Sequence, residues 1–237
     1  FGVPILGGNT VGMVGGGFYD INSDQEPIND RDGQLINLTI DYAFNDRVSL
    51  KSITSSQSMD RFLRDDLDST DANLFGQNNY TEESDSFGQE LILNYSADRL
   101  DVLGGVMYFE EDLYGEVRVP LTNLCFLLAP AACGTPVGDF LNGGNYLQDG
   151  DVDIEAWGAY VEANYSISDK WSVIAGLRYN YEERDGTGSF IFDAISLNVP
   201  TNQRESWNDL TPRITLQYSP NESMLLYATY TEAFKSG

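Results

Sequence analysis

The stretch that decides the fold is WGAYVEANYSISDKWSVIAGLRYNYEE, residues 157–183. Read by twos, Trp157, Ala159, Val161, Ala163, Tyr165 and Ile167 fall on one face, and Gly158, Tyr160, Glu162 and Asn164 on the other. Ser168, Asp169 and Lys170 supply a polar turn. Beyond it Trp171, Val173, Ala175, Leu177, Tyr179 and Tyr181 alternate with Ser172, Ile174, Gly176, Arg178, Asn180 and Glu182. Alternation of period two on both sides of a tight turn specifies an antiparallel hairpin. Aromatic residues cap its apolar face at both ends: Trp157, Tyr179 and Tyr181 mark one rim, Tyr165 and Trp171 the other. A strand of about ten residues tilted by about 45° spans about 25 Å, the height of the apolar band of a membrane barrel with its aromatic girdles. The other face carries charge and glycine, as a wet interior does. Setting Arg178 or Glu162 against hydrocarbon would cost about 2–4 kcal/mol at the midplane, which fixes the facing. Soluble sheets also alternate, so the hairpin alone leaves a soluble β-protein open.

The rest of the chain narrows this. Ile36, Leu38, Ile40, Tyr42 and Phe44 alternate with Asn37, Thr39, Asp41 and Ala43, and the strand returns from Val48 to near Arg61. Leu91, Leu93 and Tyr95 oppose Gly88, Glu90, Ile92 and Asn94, followed by a long strand from Leu100 to Val119 whose facing is ambiguous at Gly104-Gly105. Trp207–Tyr218 and Met224–Phe234 form the last pair. Short turns are expected near 45–46, 97–98, 168–170 and 220–222. Long loops are expected near 62–85, 120–152 and 185–206, after an irregular segment over 1–33. Short turns on one rim and long loops on the other are the organisation of an outer-membrane barrel with its long loops outside the cell. A soluble sandwich seldom sorts its loop lengths so cleanly. The expected fold is therefore all-β, an antiparallel transmembrane β-barrel to which this chain gives about eight strands.

Composition excludes several functions. With 37 acidic and 13 basic residues and a formal charge of -24, the chain is unsuited to a phosphate backbone or to anionic lipid met through a basic patch. It has no histidine, so no Ser-His-Asp or Cys-His arrangement exists within it, and no enzyme is expected. No run reaches the length of a transmembrane helix; the most apolar, Leu124–Cys133, is broken by Pro130. The chain starts at Phe1 without Met or signal peptide and reads as a piece of a longer, processed chain. Cys125 and Cys133 share one expected loop, and a local disulfide between them is expected, in an oxidising compartment.

Two thiols without histidine serve a metal poorly. Asp30-Arg31-Asp32-Gly33 contains part of a calcium loop but lacks the closing glutamate, and a solvated loop is the plainer reading. Asp149, Asp151, Asp153 and Glu155 offer the oxygen ligands that Ca²⁺ takes, against the plainer reading of a solvated acidic rim where a loop enters a strand. No other cofactor is called for. The loop Leu121–Leu147 is unusually apolar, with Phe126, Leu127, Phe140 and Tyr146, and must bury itself on neighbouring loops or wall a ligand vestibule.

Several short runs carry a family resemblance. Trp207-Asn-Asp-Leu-Thr-Pro-Arg-Ile-Thr-Leu-Gln-Tyr218, Leu226-Tyr-Ala-Thr-Tyr230 and Ala233-Phe-Lys-Ser-Gly237 resemble the closing strands of TonB-dependent outer-membrane receptors. Gly176-Leu-Arg-Tyr179, Ser49-Leu-Lys-Ser-Ile-Thr54 and Gln89-Glu-Leu91 are similar to other strands of the same barrels, in the same order. Ala233 stands where the family usually has glycine. The resemblance covers roughly 34–237 and implies about 22 strands around an N-terminal plug, neither plug nor coupling motif lying in these residues. It implies active import of a scarce large nutrient, ferric siderophores being the commonest class. It further implies a receptor seated in the outer membrane of a Gram-negative bacterium, among lipid and lipopolysaccharide, with TonB engaging parts of the chain not seen here. The lumen-facing candidates Asp41, Glu90, Tyr160, Glu162, Asn164, Arg178, Asn180 and Glu182 would then meet the plug, substrate or water. Two rivals make different demands. A complete eight-stranded barrel with a structural or adhesive role pairs the strand near 34 with that near 230. A secreted, calcium-dependent β-sandwich or lectin packs Trp157, Val161, Val173 and Leu177 into a core.

Overall fold

The computed structural model describes residues 3–5, 9–11, 23–67, 74–123, 125 and 130–236. A small hairpin of β1 (Val3–Ile5) and β2 (Asn9–Val11) comes first. Then follow β3 (Ile28–Asn45), β4 (Val48–Asp65), β5 (Asn78–Ala97), β6 (Leu100–Leu121), β7 (Gly144–Ser168), β8 (Trp171–Phe192), β9 (Leu197–Asn221) and β10 (Met224–Thr231). These eight make one antiparallel sheet in chain order, each strand paired with its sequence neighbour. A short helix, α1 (Pro136–Leu141), interrupts the connection between β6 and β7, with Thr135 as its N-cap. Among the described residues β3 does not pair with β10, so the sheet is an open arc and the closed eight-stranded ring is ruled out.

The short turns fall at 46–47, 98–99, 169–170 and 222–223, the third within the range expected and the others one or two residues later. The reason is visible at two of them. Asn45 ends its strand and caps the turn, its side-chain oxygen accepting from the amides of Arg47 and Val48 at 2.9 and 3.0 Å. Asn221 does the same for Ser223 at 3.0 Å. Such Asx turns use the last strand residue as the clamp, not as the corner.

Cross-strand register assigns every residue to a face, because directly paired residues point the same way. Trp157, Val161 and Tyr165 share a face with Leu177, Val106, Leu93, Ile40, Leu210 and Ile214. Register settles the ambiguity at Gly104-Gly105: Gly104 pairs with Val161 on this apolar face and Gly105 with Tyr160 on the opposite one. Val161 is 48% exposed and Leu177 43%, so the apolar face is not a core, and the sandwich reading fails. On the polar face, side chains two strands apart meet, Tyr160 of β7 with Glu90 of β5 and Arg178 of β8 with Met107 of β6. With the polar-face side chains of β7 the less exposed of the two sets, these contacts mark the polar face as concave and the apolar face as convex. The few polar groups at Ser52, Thr54 and Gln89 on the convex face satisfy one another: Gln89 accepts from Thr54 at 2.7 Å and donates to Ser52 at 3.1 Å.

The strands are longer than the sequence suggested. The segment 1–33 holds β1, β2 and the start of β3, and Asp30-Arg31-Asp32-Gly33 is paired strand opposite Phe62 to Met59, not a loop. Strand structure reaches into the loops expected near 62–85 and 120–152, with β4 ending at Asp65, β5 starting at Asn78, β6 ending at Leu121 and β7 starting at Gly144, and the loop expected near 185–206 shrinks to the four residues 193–196. That last corner is a 3-10 turn, Asp193–Ile195, closed by Ser196 in the left-handed region at φ 53°. The cause is an exchange of faces. Beyond the Trp157 rim the convex face turns acidic: Glu110, Glu155 and Glu183 stand in one row, and Asp85, Asp112, Asp153 and Asp185 in the next. The concave face there takes the apolar side chains, among them Leu113, Val117, Val152 and Ile154. Dense carboxylates look like loop, but they alternate with apolar residues and pair across strands.

Candidate functional site on the concave face

Register places all eight lumen-facing candidates, Asp41, Glu90, Tyr160, Glu162, Asn164, Arg178, Asn180 and Glu182, on the concave face. Only some come together. Tyr160 donates to Glu90 at 2.7 Å by reaching across Gly105, where an added Cβ would lie 2.5 Å from the Tyr160 ring. The missing side chain at Gly105 is what lets the tyrosine lie flat over the sheet. Arg178 donates to Asn180 at 2.6 Å and to the Met107 sulfur at 3.0 Å, with its guanidinium 5.8 Å from the Tyr160 ring centroid. Glu162 pairs with Arg213 at 3.3 Å, and Glu182 with Arg184 at 2.6 Å. Asp41 stands apart at the β3 edge, paired with Lys51 at 3.3 Å. Asn164 keeps its side-chain oxygen inaccessible and without a hydrogen-bond partner. A recess of about 350 Å³ lies among Tyr160, Glu162, Gly176, Arg178, Thr211 and Arg213.

Sequence reading missed Arg213, Met107 and Arg184. Arg213 sits in the run Thr211-Pro212-Arg213, and its parity against Arg178 was the available signal, since β8 and β9 pair Gly176 with Arg213. Met107 looked like any apolar strand residue.

The aromatic residues cluster as two rims of the convex face. Trp157 lies 5.2 Å from Tyr179 and 5.6 Å from Tyr181, and Trp171 stacks on Tyr218 at 4.3 Å. Tyr165 lies on the same face as Trp171, paired with Val173. At the first rim the phenols are tied to the acidic rows above: Tyr181 donates to Glu183 at 2.9 Å and Tyr108 to Glu110 at 2.7 Å.

Near the far end of the sheet, the vestibule candidates divide. Phe126 and Leu127 lie outside the described residues. Phe140 falls in α1. Tyr146, expected in the loop, is a strand residue of β7: it pairs with Phe192, its ring meets Phe190 at 5.2 Å, and it donates to Gln148 at 2.8 Å. Cys125 and Cys133 form the expected disulfide, with Cα atoms 5.5 Å apart. Asn142 fastens this loop to the base of β7, accepting from the Cys125 amide at 2.9 Å. At the β8–β9 corner, Asn145 donates both its side-chain and its backbone N–H to Asp193, which holds that carboxyl below the usual carboxylate range. Burial, with the Asp65 carboxylate beside it, pushes the Tyr80 phenol up.

Among the described residues no group of three or more carboxylate or thiol side chains converges to hold a metal ion. Asp149, Asp151, Asp153 and Glu155 do not mark a loop entry. They follow one another along the convex face of β7, with Asp149 engaged by Ser189 through its backbone amide and hydroxyl at 2.9 and 2.6 Å.

An open antiparallel arc, greasy and aromatic-rimmed outside and charged inside, is a section of a transmembrane β-barrel wall. Residues 3–237 match the family described as TonB dependent receptor-like, beta-barrel, and the chain belongs to that family. Solved structures similar to it include the ferric yersiniabactin uptake receptor FyuA from Yersinia pestis, with a TM-score of 0.69 at 12% identity over 86% of this chain and 28% of that one. The ferric-catecholate import receptor Fiu from E. coli K12 in its open form aligns with a TM-score of 0.58 at 13% identity, over 89% of this chain and 36% of that one. The ferric citrate transporter FecA in its unliganded form gives 0.55 at 14%, over 85% and 27%. At these identities the likeness concerns the fold, and the chain spans about a third of the length of these structures. A search of curated proteins by sequence gives no match.

Proposed function

We propose that this chain is part of the barrel wall of an outer-membrane receptor that imports a scarce, large nutrient such as a ferric siderophore, energised through TonB. The observation that carries the reading is the division of the arc. Its convex face is apolar between two aromatic rims, and its concave face holds the linked groups Glu90–Tyr160, Arg178–Asn180 and Glu162–Arg213. In this reading the convex face meets lipid, with lipopolysaccharide at the rim of Trp157, and the short turns lie in the periplasm. The concave face is the lumen, where Glu90, Tyr160, Glu162 and Arg178 meet a plug, and the disulfide-bearing connection forms part of the outer vestibule. The names of the similar structures, ferric-chelate receptors and transporters among them, support the class of cargo.

The test is made on cells carrying the full receptor gene. The receptor should sediment with outer membranes, and its deletion should abolish accumulation of radiolabelled iron from at least one ferric siderophore, only where TonB is intact. Recovery of the receptor as a soluble protein, or uptake indifferent to loss of TonB, would refute the proposal.

A further inference from the structure

The exchange of faces above the Trp157 rim leaves an apolar wall on the concave side, and that wall has a recess. Three glycines, Gly115 of β6, Gly150 of β7 and Gly188 of β8, stand directly opposite one another in a single cross-strand row. On one side of the row are Val117, Gln148 and Phe190, and on the other Leu113 and Val152. Gly115 and Gly150 floor a recess of about 340 Å³, lined also by Leu113, Val117, Gln148, Val152 and, directly opposite Gly115, Glu82. Three strands span about 10 Å across, and the two flanking rows lie about 13 Å apart along the strands. The recess is therefore broad, flat and about one side chain deep.

We propose that this recess seats a neutral, planar aromatic ring system presented by the imported ligand, an inference that rests on the import reading above. Three features choose this occupant. First, the charges nearest the recess are already matched within the sheet: Arg61 pairs with Glu82 at 2.9 Å, Arg184 with Glu182 at 2.6 Å, and Glu111 accepts from Ser84 at 2.7 Å. Among the described residues each of these two arginines is paired with a carboxylate rather than turned free toward an anionic chelate, and the convex side of the same strands is lined with carboxylates. Second, the peptides of Gly115 and Gly150 are held within paired strands, so the floor itself turns no backbone donor toward the hydroxyls of a sugar and the Gln148 amide is the polar group at its edge. Each hydroxyl buried without a partner carries a penalty. Third, the apolar part of the rim is made of groups that pack against a ring's edge and face: Val117, Val152 and Leu113, the last 37% exposed. A flat ring laid on bare peptide planes loses water on one face without demanding polar partners.

The structure also supplies the blocking variant. A Cβ added at Gly115 would meet nothing within 4 Å, so Gly115→Leu fills the recess without disturbing the strand. The full-length receptor is purified in detergent, its folding is checked by heat-dependent migration on a gel, and binding of 2-naphthol is followed by saturation-transfer NMR against an empty-micelle control. Wild type should bind 2-naphthol saturably, Gly115→Leu should weaken that binding at least tenfold, and neither ferric citrate nor maltotriose should displace it. Leu113→Asn, which wets the rim, serves as a second variant and should weaken binding in the same direction. Absence of saturable binding to wild type, equal binding to the variants, or displacement by the iron chelate or the sugar would overturn the inference. TonB-dependent iron uptake by a receptor indifferent to 2-naphthol would sink this inference while leaving the import reading standing.

Discussion

Placing an arginine at Val161 tests the facing of the whole sheet. Val161 lies midway between Trp157 and Tyr165 on the convex face, pairs with Gly104 and Leu177, and is 48% exposed. Its sequence neighbour Glu162 points to the other side, where it holds Arg213 at 3.3 Å, and the residues directly opposite Val161 on its own face are Gly104 and Leu177, so an arginine at 161 has no carboxylate in its own cross-strand row. If that face meets hydrocarbon, Val161→Arg sits at the bilayer midplane and costs about 2–4 kcal/mol. At about 1.4 kcal/mol per decade, this lowers the folding equilibrium roughly 30- to 700-fold. The matched control is Glu155→Arg, on the same strand and the same face beyond the Trp157 rim. There the cost should vanish or reverse, because Glu155 stands directly opposite both Glu110 and Glu183, and like charges in that relation repel. The assay is refolding of the full-length receptor from urea into phosphatidylcholine vesicles, with the folded fraction read from heat-dependent gel migration. The reasoning fails if the two variants shift the urea midpoint equally, or if Val161→Arg inserts as readily as wild type.

Two further outcomes are expected. Gly105→Val should push Tyr160 off its seat and break its bond to Glu90, lowering stability by about 1–3 kcal/mol in urea titrations. In a Tyr160→Ala background the same change should cost less, and an undiminished cost would place the strain elsewhere. Asp193, whose pKa is held down by Asn145, stabilises the β8–β9 corner above the ordinary carboxylate range. That contribution is lost as pH falls through the depressed folded-state value. Hydrogen exchange at Asn145, corrected for its intrinsic pH dependence, should therefore quicken in acid in wild type. In Asp193→Ala it should be fast at every pH, and a pH-independent wild type would contradict the assignment.

The sequence made the band between the rims legible because one apolar row there repeats at period two, as in Trp157 to Ile167. It hid what lies beyond for a physical reason: at Glu155 the alternation continues but the two faces trade polarity. A reader following the greasy face meets Asp153 and Asp151 and infers a loop. Tyr146 reads as part of that loop for the same reason, although it is ladder-paired with Phe192. The candidate site was legible by parity, since Tyr160, Glu162, Arg178 and Glu90 do share the concave face. Their actual partners were not. Tyr160–Glu90 and Arg178–Met107 skip a strand, and such contacts depend on strand order, curvature and the bare surface at Gly105, none of which a single strand encodes. Asn45 and Asn221 read as turn residues from sequence but act as clamps one step earlier.

The polarity trade at the Trp157 rim also fixes depth. A strand of uniform character could ride up or down in a bilayer with little penalty, since each greasy residue leaving at the top is replaced by another arriving from below. Here a downward slide by one side-chain step lowers Glu110, Glu155 and Glu183 together into the level now held by Tyr108, Trp157 and Tyr181. An upward slide lifts the lower aromatics, Trp171 and Tyr218 among them, off their interface. Three adjacent strands share one waterline, and the wall keeps its vertical position as a unit.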